Sequence, residues 1–206
     1  MPHARMADSD PFCGRTVQEL VDEAAADPWL AGALAAYRFA AIRVAGRRVL
    51  DVGCEYGLGT YLLALEAAEV VALDSSPRAL RVARGLLAHC HNVRFLVSRV
   101  ERVSARDPFD IVCAFNLLHL VPEPDDALSV VRALVAPHGE ALFTFPEREE
   151  VLSAKLTSCF PRVSCRSLSR GERLGGRPCR VWVASGVEHA CTDFGHARKE
   201  STAPRL

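Results

Sequence analysis

The chain has 206 residues, half of them hydrophobic, and its 25 Lys and Arg are balanced by 25 Asp and Glu. That length suffices for one α/β domain with a full core, while the zero net charge argues against a large basic nucleic-acid footprint. With a polar N-terminus carrying Asp8 and Asp10, neither a signal peptide nor a membrane-spanning run is expected.

Residues 1–15, with Pro2, Pro11 and Gly14, read as a flexible leader. Thr16-Val17-Gln18-Glu19 is a capping-box signature, and Val17, Leu20, Val21 and Ala24 follow on one helical face. A second helix opens at Asp27-Pro28, with Asp as N-cap and Pro in the first turn. Trp29, Leu30, Ala33, Leu34, Tyr37, Ala41 and Val44 continue its apolar stripe, and Gly46 is expected to end it.

The most informative stretch is Arg47 to Thr60. An apolar strand, Val49 to Val52, runs into a glycine-rich turn, Gly53-Cys54-Glu55-Tyr56-Gly57-Leu58-Gly59, and a helix follows from Thr60. Strand, glycine turn and helix N-terminus form a nucleotide-binding geometry, because glycines admit close backbone approach and a helix start offers N–H groups. The spacing is not the dinucleotide G-x-G-x-x-G, and an acid, Asp51, stands at the strand end. A carboxylate there repels a phosphate and pairs with an ammonium group. The implied ligand carries a cation near this turn and no pyrophosphate, which disfavours a nicotinamide-dependent oxidoreductase.

Strand two is Val70 to Asp74. Asp74 lies about 20 residues past the turn, where an acid reaches the tip of the neighbouring strand and accepts ribose hydroxyls. Ser76-Pro77 opens a helix to about residue 89. Strand three is Val93 to Val97 and strand four Asp110 to Phe115. Asp125 and Asp126 begin a helix to about Val135, with Pro137-His138-Gly139 expected to stop it before strand five, Glu140 to Phe145. A helix over 147–158 precedes strands near 162–168 and 178–184, separated by Gly171, Gly175 and Gly176 and expected to pair as an antiparallel hairpin. Strands alternating with helices predict a single doubly wound, mainly parallel seven-stranded α/β sheet with an antiparallel C-terminal hairpin. The domain is expected over 16–186, with helices in 16–45 and a core in 47–186; residues 187–206 read as a disordered tail.

The eight cysteines include no C-x-x-C pair, and several sit in apolar strands as small hydrophobes. A reducing, cytoplasmic compartment is expected. His89-Cys90-His91 and His189/Cys191/His196 lack metal-ligand spacing, so no metal site is predicted. Arg162, Arg166, Arg170, Arg173, Arg177 and Arg180 cluster near the C-terminus, which reads as a solvated sheet edge.

The stretch from Asp51 through about residue 146 resembles the class I S-adenosylmethionine-dependent methyltransferases, and most of all their small-molecule branch. Asp51, Gly53 and Gly57 match that family's first motif; Glu55 stands where glycine is usual. The resemblance implies that S-adenosylmethionine is the cofactor, with Asp51, Gly53, Cys54 and Gly57 holding its methionine portion. Asp74 would hold the ribose and Ser75 would flank the adenine. Ser98-Arg99-Val100-Glu101 falls where the family has an aspartate followed by a small apolar residue. Arg99 replaces the aspartate, and Val100 can still give its N–H to the adenine.

Phe115-Asn116-Leu117-Leu118-His119 looks like the N-x-L-H motif of small-molecule methyltransferases. Phe115 and Asn116 would lie against the methionine arm. His119 would face the acceptor and serve as a base where the nucleophile carries a proton, or else pack under a lid. Tyr37 and Arg38 resemble a Y-R pair preceding the first motif; Tyr37 would close over the cofactor carboxylate, stack on an aromatic acceptor or pack in the core. In such relatives the N-terminal helices cover the cleft; by packing alone they equally cap the sheet. The implied activity is methyl transfer to O or N of a small-molecule acceptor. The alternatives are a non-catalytic binding protein, motivated by Glu55 and Arg99, and an RNA methyltransferase using the C-terminal arginines.

Overall fold

The structure, a computed structural model, describes residues 12, 14–104, 106–145, 149–168, 173–174 and 177–186. The leader expected over 1–15 therefore lies outside the described residues apart from Phe12, Gly14 and Arg15, and the tail over 187–206 lies wholly outside them.

Two helices come first, α1 (Val17–Ala26) and α2 (Pro28–Ala41). The capping box forms as the sequence predicts: the Thr16 hydroxyl accepts from the Glu19 N–H, and the Glu19 carboxylate accepts from the Thr16 N–H at 2.8 Å. Asp27 accepts from the Leu30 N–H at 3.2 Å, so α1 and α2 meet at a capped corner. Helix α2 ends at Ala41, ahead of the expected stop at Gly46, whose φ of +67° instead serves a tight turn into the first strand.

The core follows as β1 (Arg48–Val52), α3 (Leu58–Ala64), β2 (Glu69–Asp74), α4 (Pro77–Leu86), β3 (Val93–Val97), β4 (Phe109–Phe115), α5 (Pro124–Leu134), β5 (Val135–Thr144), α6 (Glu149–Cys159), β6 (Arg162–Ser167), β7 (Arg173–Leu174), β8 (Arg177–Pro178) and β9 (Arg180–Ser185). The seven-stranded sheet has the order β3-β2-β1-β4-β5-β9-β6. Its first five strands pair in parallel, and β9 runs antiparallel to both β5 and β6.

Side-chain alternation divides the core between the two faces. Leu50 and Val52 point to the face covered by α5 and α6, with Val112, Phe143, Leu128 and Leu152. Val49 points the other way, to α2 and α3, with Ala36, Tyr37, Ala40 and Leu63. Asp51, two residues after Val49, is thereby sent to the α2–α3 face.

Two departures from the expected elements have local causes. Helix α5 ends at Leu134 and β5 starts at once at Val135, so Pro137-His138-Gly139 is not a helix stop but part of the strand. The pairing of β4 and β5 shifts register between Phe109 and Ile111. A Cβ at Gly139 would lie 2.7 Å from the Asp110 carbonyl oxygen, so only glycine fits this bulge. The C-terminal hairpin is also more elaborate than expected: the two-residue strands β7 and β8 pair with each other between β6 and β9. Ladders of two residues are too short to carry a periodic pattern.

Arg162 and Arg166 lie exposed on β6, the edge strand, and Arg180 pairs with Glu149 at 3.2 Å. Among the described residues no helix is long and apolar enough to cross a membrane.

Candidate active site

Three buried polar residues stand out among the described residues: Asp51, Thr60 and Thr144, each fully enclosed. All three lie at the C-terminal end of the sheet, around the point between β1 and β4 where the strand order reverses. Open α/β sheets bind ligands in the crevice at that place.

Asp51 is held by two hydroxyls. The Tyr37 hydroxyl of α2 donates to Oδ1 at 3.0 Å, and the Thr60 hydroxyl of α3 donates to Oδ2 at 2.6 Å. Tyr37 is buried, with its ring edge-on to Phe115 at 4.9 Å. Gly59 makes that position possible: a Cβ there would lie 2.2 Å from the Tyr37 ring. Of the roles considered for Tyr37, the packed one describes its surroundings. Arg38, its neighbour, is exposed.

The glycine turn is pinned to β2. The Gly53 and Cys54 N–H groups both donate to the Leu73 carbonyl, at 2.8 and 3.1 Å. Gly53 and Gly57 adopt φ of +78° and +85°, where a side chain is strained. A Cβ at Gly53 would press on Leu117 at 3.2 Å, and one at Gly57 on Leu87 at 3.0 Å. Cys54 is buried. Glu55 also lies in the left-handed region, at φ +48°. Its N–H donates to Asp74 Oδ2 at 3.0 Å, while Asp74 Oδ1 accepts from the Ser76 N–H at 2.8 Å. Each carboxylate oxygen has further lone pairs, so both can still accept a hydroxyl. Ser75 is exposed beside Asp74.

The end of β3 is tied to the same place, because the Ser98 N–H donates to the Asp74 carbonyl at 3.0 Å. Val100, buried, begins a 3₁₀ turn. Arg99 turns outward and pairs with Glu101 at 3.0 Å. At the end of β4, Phe115 is buried and Asn116 takes a left-handed φ of +53°. The Asn116 N–H donates to Thr144 Oγ1 at 3.0 Å, and the Thr144 hydroxyl donates back to Asn116 Oδ1 at 2.7 Å. That reciprocal pair locks a conformation unusual for a non-glycine residue. His119 follows, half-buried between buried Leu118 and exposed Leu120.

Charge at the site is one-sided. Burial pushes the Asp51 carboxyl up to about 6; the Thr60 and Tyr37 hydroxyls pull it down, and the charges of Asp74 and Glu55 push it further up. Burial, then the charge of Asp74, also raises Glu55. Burial and Asp51 raise the Tyr37 hydroxyl. Among the described residues no Lys, Arg or His forms an ion pair with Asp51, Glu55 or Asp74. Asp51 is the buried one of the three; an uncompensated buried carboxylate is costly, and a cationic ligand would relieve that cost.

The structure thus brings Asp51, Gly53, Cys54, Gly57, Asp74, Ser75, Val100, Phe115 and Asn116 to one rim of the sheet, and places Arg38 on the outer surface. Three supporting residues escaped the sequence reading. Thr60 was visible only as a helix start, Gly59 as one more glycine of the turn, and Thr144 as a strand residue. Alternation along β5 places Thr144 but not its partner, which lies on another strand.

Residues 49–139 match the family model described as "Methyltransferase domain". The chain is 37% identical over 106 residues to the ubiquinone biosynthesis O-methyltransferase of Azotobacter vinelandii, covering 50% of this chain and 46% of that protein. It therefore spans about half the length of the curated relatives it matches. Among solved structures it superposes on the N-methyltransferase NodS from Bradyrhizobium japonicum WM9 in complex with S-adenosyl-L-homocysteine, with TM-score 0.65, 17% identity, and coverage of 88% of this chain and 90% of that one. An rRNA methylase from Streptococcus thermophilus aligns with TM-score 0.57 and 16% identity, over 72% of this chain and 93% of that one. The solved neighbours share this chain's Rossmann-like α/β fold. Residues 49–139, under half of the chain, are similar to this methyltransferase family.

Proposed function

We propose that the chain binds S-adenosylmethionine at this rim and transfers its methyl group to an oxygen, or alternatively a nitrogen, of a small-molecule acceptor. The observation that carries the proposal is the enclosed Asp51 carboxylate, fixed by Tyr37 and Thr60 beside a glycine turn and, among the described residues, in no ion pair with a cation. The likeness to a curated O-methyltransferase supports oxygen; the structural neighbours, whose names mention an N-methyltransferase and an rRNA methylase, support the fold alone.

The residues fit this cofactor. Asp51 would accept its ammonium group, and Asp74 would accept the two ribose hydroxyls through lone pairs that Glu55 and Ser76 leave open. Gly53, Cys54 and Gly57 would let backbone lie close to the methionine arm, against Phe115 and Asn116. Ser75 and the Val100 N–H would meet the adenine. When bound, the cofactor supplies a methyl group activated by a sulfonium, so the protein's work is mostly alignment. Asn116, locked by Thr144, holds the chain from β4 in a fixed path toward the acceptor. His119 would take the proton of a phenol or hydroxyl acceptor at its imidazole, a group suited to that near neutral pH. Tyr37 and Thr60 act through Asp51 as positioning residues. The α1–α2 layer would close the cofactor side of the cleft.

A small-molecule acceptor suits the balanced charge of the chain and the placement of Arg162 and Arg166 on a sheet edge. The cytoplasm suits the six free cysteines among the described residues, at positions 54, 90, 113, 159, 165 and 179.

The test is calorimetric titration with S-adenosylmethionine of the parent chain and of Asp74→Ala. Losing two charge-assisted hydroxyl contacts should weaken binding by about 100-fold. Unchanged affinity in the variant would remove Asp74 from the site. A screen of phenolic and hydroxyl acceptors then follows, with formation of S-adenosylhomocysteine as readout and His119→Ala as control.

A further inference from the structure

We infer that Glu55 sets ligand specificity at this site: it makes the site favour the positively charged cofactor over its neutral demethylated product. The inference rests on the cofactor reading above. S-adenosylmethionine carries a sulfonium charge that S-adenosylhomocysteine lacks, and the two molecules are otherwise alike. Only a group that senses this charge can separate them by more than the loss of one methyl contact.

Glu55 stands where the family usually has glycine, so its side chain is additional to the usual turn. Its backbone is held in place by the N–H bond to Asp74 and by a φ of +48°, a conformation in which glycine would be relaxed. Such strain persists where surrounding structure holds it, here the turn pinned to Leu73 and Asp74. Its carboxylate lies within electrostatic reach of both Asp74 and Asp51. Three carboxylates thus converge on the turn, and among the described residues none forms an ion pair with Lys, Arg or His.

The ammonium of either ligand offsets part of that charge. Only the sulfonium supplies a second positive charge to offset more. A partly exposed carboxylate acting on one unit of ligand charge is worth roughly twofold to thirtyfold in affinity, and salt screens it. For an enzyme this preference speeds turnover in the presence of accumulated product.

The experiment titrates the parent chain, Glu55→Gln and Glu55→Gly with each of the two ligands by calorimetry, at about 50 mM and about 500 mM salt. The expected result is a drop of roughly tenfold in S-adenosylmethionine affinity in both variants. S-adenosylhomocysteine should stay within about twofold, and the parent's preference should narrow at high salt. Equal shifts for both ligands, or tightening of both in Glu55→Gly, would overturn the inference while leaving the cofactor reading intact; the latter would mark Glu55 as an obstruction. Failure of the parent to bind either ligand overturns both.

Discussion

Asp51 concentrates the tension between folding and binding in one side chain. Its carboxyl titrates near 6 in the folded chain against 3.8 as an ordinary side chain. The folded state therefore binds the proton more tightly than the unfolded state. The contribution to stability is greatest below pH 4 and is lost as pH rises through about 6, a change of about 3 kcal/mol. Urea unfolding of the parent and of Asp51→Asn at pH 5 and pH 8 should show the parent losing stability relative to the variant as pH rises; parallel curves would mean that Asp51 is solvated. Ligand binding runs the other way. An ammonium beside Asp51 favours the charged carboxylate, so parent affinity for S-adenosylmethionine should tighten between pH 5 and pH 7. Asp51 and Asp74 were readable in the sequence because each closes an apolar strand. The hydroxyls that hold Asp51 were not, since Tyr37 and Thr60 come from two helices that only the folded packing brings together.

At the scale of elements, α2 and α3 act as a clamp on the end of β1. Their contact depends on Gly59, which leaves room for the Tyr37 ring. Gly59→Ala keeps a helical backbone but drives a methyl into that ring. It should cost about 1–3 kcal/mol, by overpacking, and should weaken cofactor binding, because Tyr37 must leave Asp51. Thermal melts and calorimetry on this variant check both; a melt unchanged from the parent would mean that the ring moves aside freely. The existence of the longer elements was legible, since apolar runs and capping residues repeat along the chain: Thr16 with Glu19, and Ser76 with Pro77; the two-residue β7 and β8 were not. Boundaries were less so. Proline, histidine and glycine at 137–139 suggest a helix stop, yet their cause is a bulge whose partner carbonyl belongs to β4. A signal that resides on a different strand cannot be read from the segment that responds to it.

For the whole molecule, the parallel half of the sheet carries the proposed cofactor rim and the antiparallel part lies on the other side. Binding at the rim ties together the ends of β1, β2, β3 and β4, and so couples to global unfolding. Saturation at about 100 times the dissociation constant adds about 2.7 kcal/mol. For a chain of this size that is roughly 5–10 °C in Tm. Scanning calorimetry with and without S-adenosylmethionine should register it, and a Tm indifferent to ligand would place binding outside the cooperative unit.

The position of β9 has a further consequence, for the order in which the protein is made. This strand comes last among the described elements, yet it lies between β5 and β6. Val181 and Ala184 on it are fully enclosed, and Trp182 to Ser185 pair with neighbours on both sides. During synthesis β6 leaves the ribosome with no strand to join, and β5 waits with an open edge, until Ser185 has emerged. The sheet is therefore sealed from within by its final segment. Until that moment the nascent chain offers two unpaired strand edges to any neighbour. Arg162 and Arg166 give like charge to β6, one of these waiting strands, which discourages two unfinished copies from joining there.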